Sequence, residues 1–147
     1  MAEFLQQGVA IHIGTRNERL EPNGARVMAL TVEDDRQHLI AYVPAIAAPR
    51  VLSDLEANRQ GAVTVARPID DRAAQVKGLF LSSWQATDEE RLVVQAQWER
   101  CLGRLEAIGI PRTAATNWSV WPCIAIRLRV NAVFDQTPGP RAGEAVP

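Results

Sequence analysis

The chain has 147 residues, of which 47% are hydrophobic and 22% charged, with a formal net charge of −1. That balance excludes a disordered chain, and the near-zero charge excludes the broad cationic field that nucleic acid or an anionic membrane selects. No apolar run reaches the roughly 18 residues of a membrane span, and Met1–Leu5 lacks the basic start and long apolar core of a secretion signal, so a cytoplasmic address is expected.

Glu3 to Gln7 allow one helical turn that Gly8 stops. Val9 to Thr15 alternates, setting Val9, Ile11, Ile13 and Thr15 on one face of a half-buried strand. His12 falls on the other face with Ala10 and Gly14. A lone histidine there reads as a surface or hydrogen-bonded residue, and its small neighbours allow close approach of a backbone or a flat ligand. Pro22-Asn23-Gly24 reads as a turn. Ala25 to Val32 follows as a strand, Glu33-Asp34-Asp35 as an acidic turn, and His38 to Pro44 as the antiparallel partner.

Pro49 suits the first position of a helix that runs to Asn58 and buries Val51, Leu52 and Leu55. Strands are expected over Ala62–Arg67 and Ala73–Leu81, joined by a turn at Pro68–Asp71. In the second of these Gln75 and Lys77 share one face, Val76 and Phe80 the other. Thr87-Asp88-Glu89-Glu90 is a capping box opening a long helix, and Gly109 and Pro111 end it. Its core stripe reads Val94, Trp98, Cys101 or Leu102, Leu105 and Ile108. Trp118 and Trp121 bracket Ser119-Val120 as a hydrophobic plug over a barrel end or a dimer interface.

Ile124 to Phe134 is the strongest strand, with Arg127, Arg129 and Asn131 on its polar face. The segment 136–147 is expected to run as an extended tail along the surface. Together these elements predict a single domain over 1–147, mainly β (α+β). Its expected form is a split β-barrel of six or seven mostly antiparallel strands, with a long helix after the central strands.

Cys101 and Cys123 read as small buried hydrophobes, and with only His12 and His38 present no zinc-binding spacing exists. No nucleophile elbow, phosphate-binding loop or His-Glu-x-x-His motif occurs, and the acids cluster in turns and on helix surfaces. Side-chain acid–base or covalent catalysis is poorly supplied, so an enzyme of this composition would draw its chemistry from an organic cofactor.

Five stretches in order carry a family resemblance: Arg26-Val27-Met28-Ala29-Leu30, Leu39-Ile40-Ala41-Tyr42-Val43, Leu55-Glu56-Ala57-Asn58 leading into Gly61–Val65, Gln75-Val76-Lys77-Gly78, and the closing Val133-Phe134-Asp135-Gln136-Thr137-Pro138-Gly139-Pro140. The chain resembles the pyridoxamine 5′-phosphate oxidase-like FMN-binding split barrels over about residues 4 to 143. The resemblance implies a homodimer holding FMN in clefts shared by both subunits. It assigns Arg26, Val27, Met28 and Ala29 to the strand along the flavin, and Tyr42 and Val43 to backbone and hydroxyl contacts. It assigns Gln75 and Lys77 to the cofactor's polar groups, and Arg50 to the phosphate. Trp118 is the candidate wall beside the isoalloxazine. Thr31 stands where the family has a lysine, Val43 replaces a threonine, and the phosphate loop reads Ala47-Ala48-Pro49-Arg50 with one cation. The substrate-side Arg/His cluster of the true oxidases is not recognisable. The reading is therefore a small-molecule oxidoreductase that is not a pyridoxamine phosphate oxidase, its substrate unnamed. The alternative is a non-catalytic dimeric binding protein that has lost FMN affinity or takes a deazaflavin or haem.

Overall fold

A computed structural model describes residues 1–146. A single turn, α1 (Ala2–Leu5), leads into β1 (Ala10–Arg16), whose Ile11, Ile13 and Thr15 point inward while His12 and Gly14 point out. β2 (Pro22–Val27) starts earlier than the turn residues suggest. The Asn17 side-chain oxygen accepts from the amides of Arg19 and Glu21, so the chain has already reversed before Pro22. Pro22, Asn23 and Gly24 then pair with Arg16, Thr15 and Gly14. Pro22 is tolerated because it opens an edge strand, where its missing N–H costs no ladder bond.

The strand expected from Ala25 to Val32 bends at Met28 and changes partner. Its second half, β3 (Ala29–Val32), pairs with β4 (His38–Pro44), and the Met28 amide donates to the Tyr42 carbonyl at 2.8 Å. α2 (Ala48–Asn58) follows, then β5 (Gln60–Ala66), β6 (Ala73–Gln85), α3 (Asp88–Ala107), a 3-10 turn (Arg112–Ala115) and β7 (Cys123–Asp135). All pairings are antiparallel, in the order β2-β1-β5-β6-β7-β4-β3. Because β2 and β3 are consecutive, this order rolls the sheet into a barrel around Ile11, Ile13, Leu30, Leu39, Val63, Val65, Ile126 and Leu128, each at most 1% exposed.

α2 plugs one end of the barrel with Ala48, Val51 and Leu55. The Thr15 hydroxyl donates to the buried Asp54 carboxylate at 2.7 Å, which satisfies the one polar group that the plug carries inward. The tail differs from its expected form. Residues Ala145–Val146 return as β8 and pair with Val133 and Phe134, because β4 leaves that edge of β7 uncovered.

α3 fills the split. Its capping box forms as read, the Thr87 hydroxyl taking the Glu90 amide and Glu90 the Thr87 amide. The buried stripe is Val94, Gln97, Cys101 and Leu102, while Ile108 is 45% exposed beyond the helix end. Gln97 is the residue that periodicity overlooks. Its amide donates to the Leu30 carbonyl at 2.6 Å and accepts from the Leu30 N–H at 3.1 Å, closing the free edge of β3. On the opposite lip the Arg104 guanidinium donates to the carbonyls of Gln7 and Gly8. Gly8 lies so close to α3 that a Cβ there would stand 2.5 Å from the Gln97 carbonyl oxygen. A helix thus bridges both lips with side chains in place of the missing ladder bonds.

Candidate functional site

Strand register places one polar row across the outer face of the barrel. Arg26 on β2 pairs with His12 on β1, His12 with Thr64 on β5, and Thr64 with Gln75 on β6. The Gln75 amide donates to the Thr64 hydroxyl at 3.2 Å. Two residues along each strand, about 7 Å away, a second row runs Gly24, Gly14, Ala62, Lys77. Gly14, Ala62 and Lys77 of this row line a trough of about 520 Å³, rimmed by Arg16, Gln60, Leu79 and Asn131, and Gly24 continues the row beside Gly14 just outside it. No carboxylate lines it, and no ion pair holds Arg16, Arg26 or Lys77 among the described residues.

The floor is flat for a reason that the fold itself does not supply. Gly14 and Gly24 have no left-handed backbone, and a Cβ at either would meet only a carbonyl oxygen at 3.8 or 3.7 Å. By contrast, a Cβ at Gly78 would sit 2.7 Å from the Arg129 carbonyl oxygen, so packing demands that glycine. An uncrowded strand glycine weakens a sheet by roughly 0.5–1 kcal/mol relative to alanine. Two of them side by side leave room for something laid on the face.

Arg26 is held by an aromatic corner. Its guanidinium lies 3.6 Å from the centre of the Trp118 ring, and Trp118 in turn packs at 5.3 Å and 44° on Trp98 of α3. Burial, then the Arg26 charge, push the His12 imidazole below its ordinary pKa, which favours the neutral ring. Lys77 leans over the Phe134 ring at 4.9 Å.

The residues expected from the sequence separate into three groups. Arg26, Gln75, Lys77 and Trp118 come together on this outer face. Met28, Ala29 and Tyr42 also point outward, but the N-terminal half of α3 covers them with Val94 and Trp98, leaving them 3%, 0% and 2% exposed. The Tyr42 hydroxyl meets Thr31 at 3.3 Å and donates to Glu90 at 3.3 Å, and burial pushes its pKa up to about 12. Val27 and Val43 point into the barrel core, which leaves only their backbone to any ligand. Arg50 is exposed near the start of α2, eight residues before Asn58, hence about 12 Å along the helix axis from the end that adjoins Arg16.

Sequence reasoning set His12 and Gly14 on an outward face open to a flat ligand without assigning them to the site, and it passed over Thr64 and Gly24. The signal that could have found them is the outward alternation of β1, read together with the register that only pairing supplies. The cysteines are inert, as expected: both are buried, and burial lifts both thiols, Cys123 to about 12.

The floor is flat and small, three cations lie at or beside its rim, and Gln75 offers an amide. The strand from Met28 to Thr31, by contrast, is already occupied by α3. The residues fit FMN in the trough.

No family model matches the chain, and no curated protein matches it. Solved structures do. An F420 reductase aligns with a TM-score of 0.59 at 15% identity, over 89% of this chain and 93% of that one. HupZ from Group A Streptococcus aligns at 0.57 and 13% identity, over 97% and 96%. An FMN-binding protein from Syntrophomonas wolfei subsp. wolfei aligns at 0.54 and 13% identity, over 90% and 85%. The fold is therefore the split barrel of the pyridoxamine 5′-phosphate oxidase-like proteins.

Proposed function

We propose that this chain is a homodimeric split-barrel oxidoreductase that holds FMN, or a related deazaflavin, in the outer trough and acts on a small molecule. The observation that carries the reading is uncrowded Gly14, in a trough that no carboxylate of the described residues lines, with uncrowded Gly24 paired beside it and Arg26, Gln75 and Lys77 around it. The similar structures named for F420 reduction and for FMN binding support the choice of cofactor class. When bound, such a ring supplies hydride chemistry that these side chains cannot. Gly14, Gly24 and Ala62 would carry the ring, and the Gln75 amide would hydrogen-bond its polar edge. Arg26 would hold the phosphate through charge-assisted hydrogen bonds, each worth roughly 1.5–3 kcal/mol, and Lys77, three strands away across the floor, would face a polar edge of the ring. Leu79 and Ala132 would keep water from one flank.

Absorption spectra of the protein as purified, and again after FMN is added and the unbound FMN removed by gel filtration, test this together with thermal melts at increasing FMN. A band near ~450 nm, with thermal stabilisation that grows with FMN, is the expected result. A colourless protein that FMN does not stabilise favours the second reading, a non-catalytic dimeric binder of another cofactor. One observation favours that second reading: α3 buries Met28, Ala29 and Tyr42, the stretch that the family resemblance assigns to the flavin.

A further inference from the structure

His12 and Arg26 face each other across β1 and β2, one row from the glycine floor. Arg26 cannot swing freely, because its guanidinium lies against Trp118. Among the described residues the charged groups around His12 are cations, and the one other titratable group is a buried thiol whose pKa burial raises. β2 brings Arg26, and the far end of β1 brings Arg16. β5 brings only Thr64, and β6 brings Gln75 and, one row on, Lys77. α3 brings the buried Cys101 thiol beside Arg26. Two like charges directly opposite on neighbouring strands repel. The imidazole therefore stays neutral in the free protein, and an anion seated between His12 and Arg26 reverses that balance.

We propose that His12 and Arg26 form a proton-coupled clamp for the phosphate of the trough's ligand, with binding drawing one proton onto His12. The inference rests on the flavin reading above, but the clamp itself recognises any phosphate monoester or inorganic phosphate. The ligand's phosphate contributes the negative charge, solvent contributes the proton, and no bond to the ligand forms or breaks.

The test is an NMR titration of the two histidine rings in phosphate-free buffer. The His12→Gln variant assigns the His12 signal, and His38, which is paired with Asp35 at 2.6 Å, serves as the internal control. Saturating FMN is expected to raise the His12 midpoint by at least one pH unit, and riboflavin, which lacks the phosphate, to leave it in place. FMN then binds at least tenfold more tightly to the protonated ring than to the neutral one. The phosphate of FMN titrates near pH ~6 itself, so His12→Gln supplies the baseline. That variant should bind FMN with the wild-type alkaline affinity and without the extra acid-side gain. If FMN binds and the His12 midpoint does not move, the clamp is wrong and the flavin reading stands. If FMN does not bind but millimolar inorganic phosphate raises the midpoint, the clamp stands and the flavin reading fails. If FMN does not bind and inorganic phosphate leaves the midpoint in place, both are overturned.

Discussion

Gly14 and Gly24 face each other on the outside of the barrel, with nothing in their own chain to forbid a side chain. Gly14→Val should accordingly fold as well as the parent, with an unfolding free energy from denaturant titration unchanged or raised by roughly 0.5–1 kcal/mol. The same substitution should abolish FMN binding in a fluorescence titration, because it fills the floor. A second pair of variants separates the cations. Lys77→Ala should weaken FMN binding about tenfold or more, the loss of one charge-assisted contact. Arg50→Ala should leave affinity within about twofold, since Arg50 lies on the far part of α2 from the trough. Individual residues were the least legible part of the site. Arg26, Gln75 and Lys77 could be read from their local stretches. The importance of His12 and Thr64 could not, because it arises from register between strands that are fifty residues apart in the chain.

Helix α3 was legible as an element and only partly as a surface. Its capping box and length could be read directly, whereas its buried face includes Gln97, a polar residue that hydrophobic periodicity skips. Periodicity detects what packs on carbon. It is blind to an amide whose partners are the N–H and C=O of a strand edge. Gln97→Leu keeps the volume and removes both bonds, leaving the Leu30 amide and carbonyl buried without partners. It should destabilise the protein by roughly 2–4 kcal/mol, read as a fall in denaturant midpoint. Gly8→Ala should destabilise the packing of the other lip against α3, through the backbone of Gln97 and not its side chain. It combines a left-handed φ of +72° with a Cβ that would lie 2.5 Å from the Gln97 carbonyl oxygen. The turn before β2 shows the complementary failure: Pro22-Asn23-Gly24 has turn chemistry, but Asn17 had already made the reversal.

For the whole molecule, the architecture was the most legible level, because six alternating apolar runs and one capped helix admit few closed arrangements. The antiparallel pairing of Ala29–Val32 with His38–Pro44 was read from the sequence, whereas the rest of the strand order, the bend at Met28 and the returning tail emerged only from the folded chain. Stability should fall in two stages on acidification. His12 is held below its ordinary pKa, so the unfolded chain binds more protons there, and stability is lost as pH drops below about 6.5 toward the folded value. Glu33 is lowered chiefly by its hydrogen bond from Arg127, and Asp70 by that from Arg67. These contributions are complete above about pH 5 and lost as pH falls through the lowered carboxylate values. Thermal melts of His12→Gln should show the second stage without the first. The proposed dimer belongs to this scale too, and sedimentation equilibrium should give twice the chain mass.

Central to the account is a planar, phosphate-bearing ligand lying on the outer trough and not along the strand beneath α3. A crystal structure of the protein grown with FMN measures this directly. The predicted result is a ring stacked over Gly14 and Ala62 with its phosphate between His12 and Arg26. A ring lying along Met28 to Thr31 with α3 displaced, or a trough left empty at saturating FMN, would contradict it.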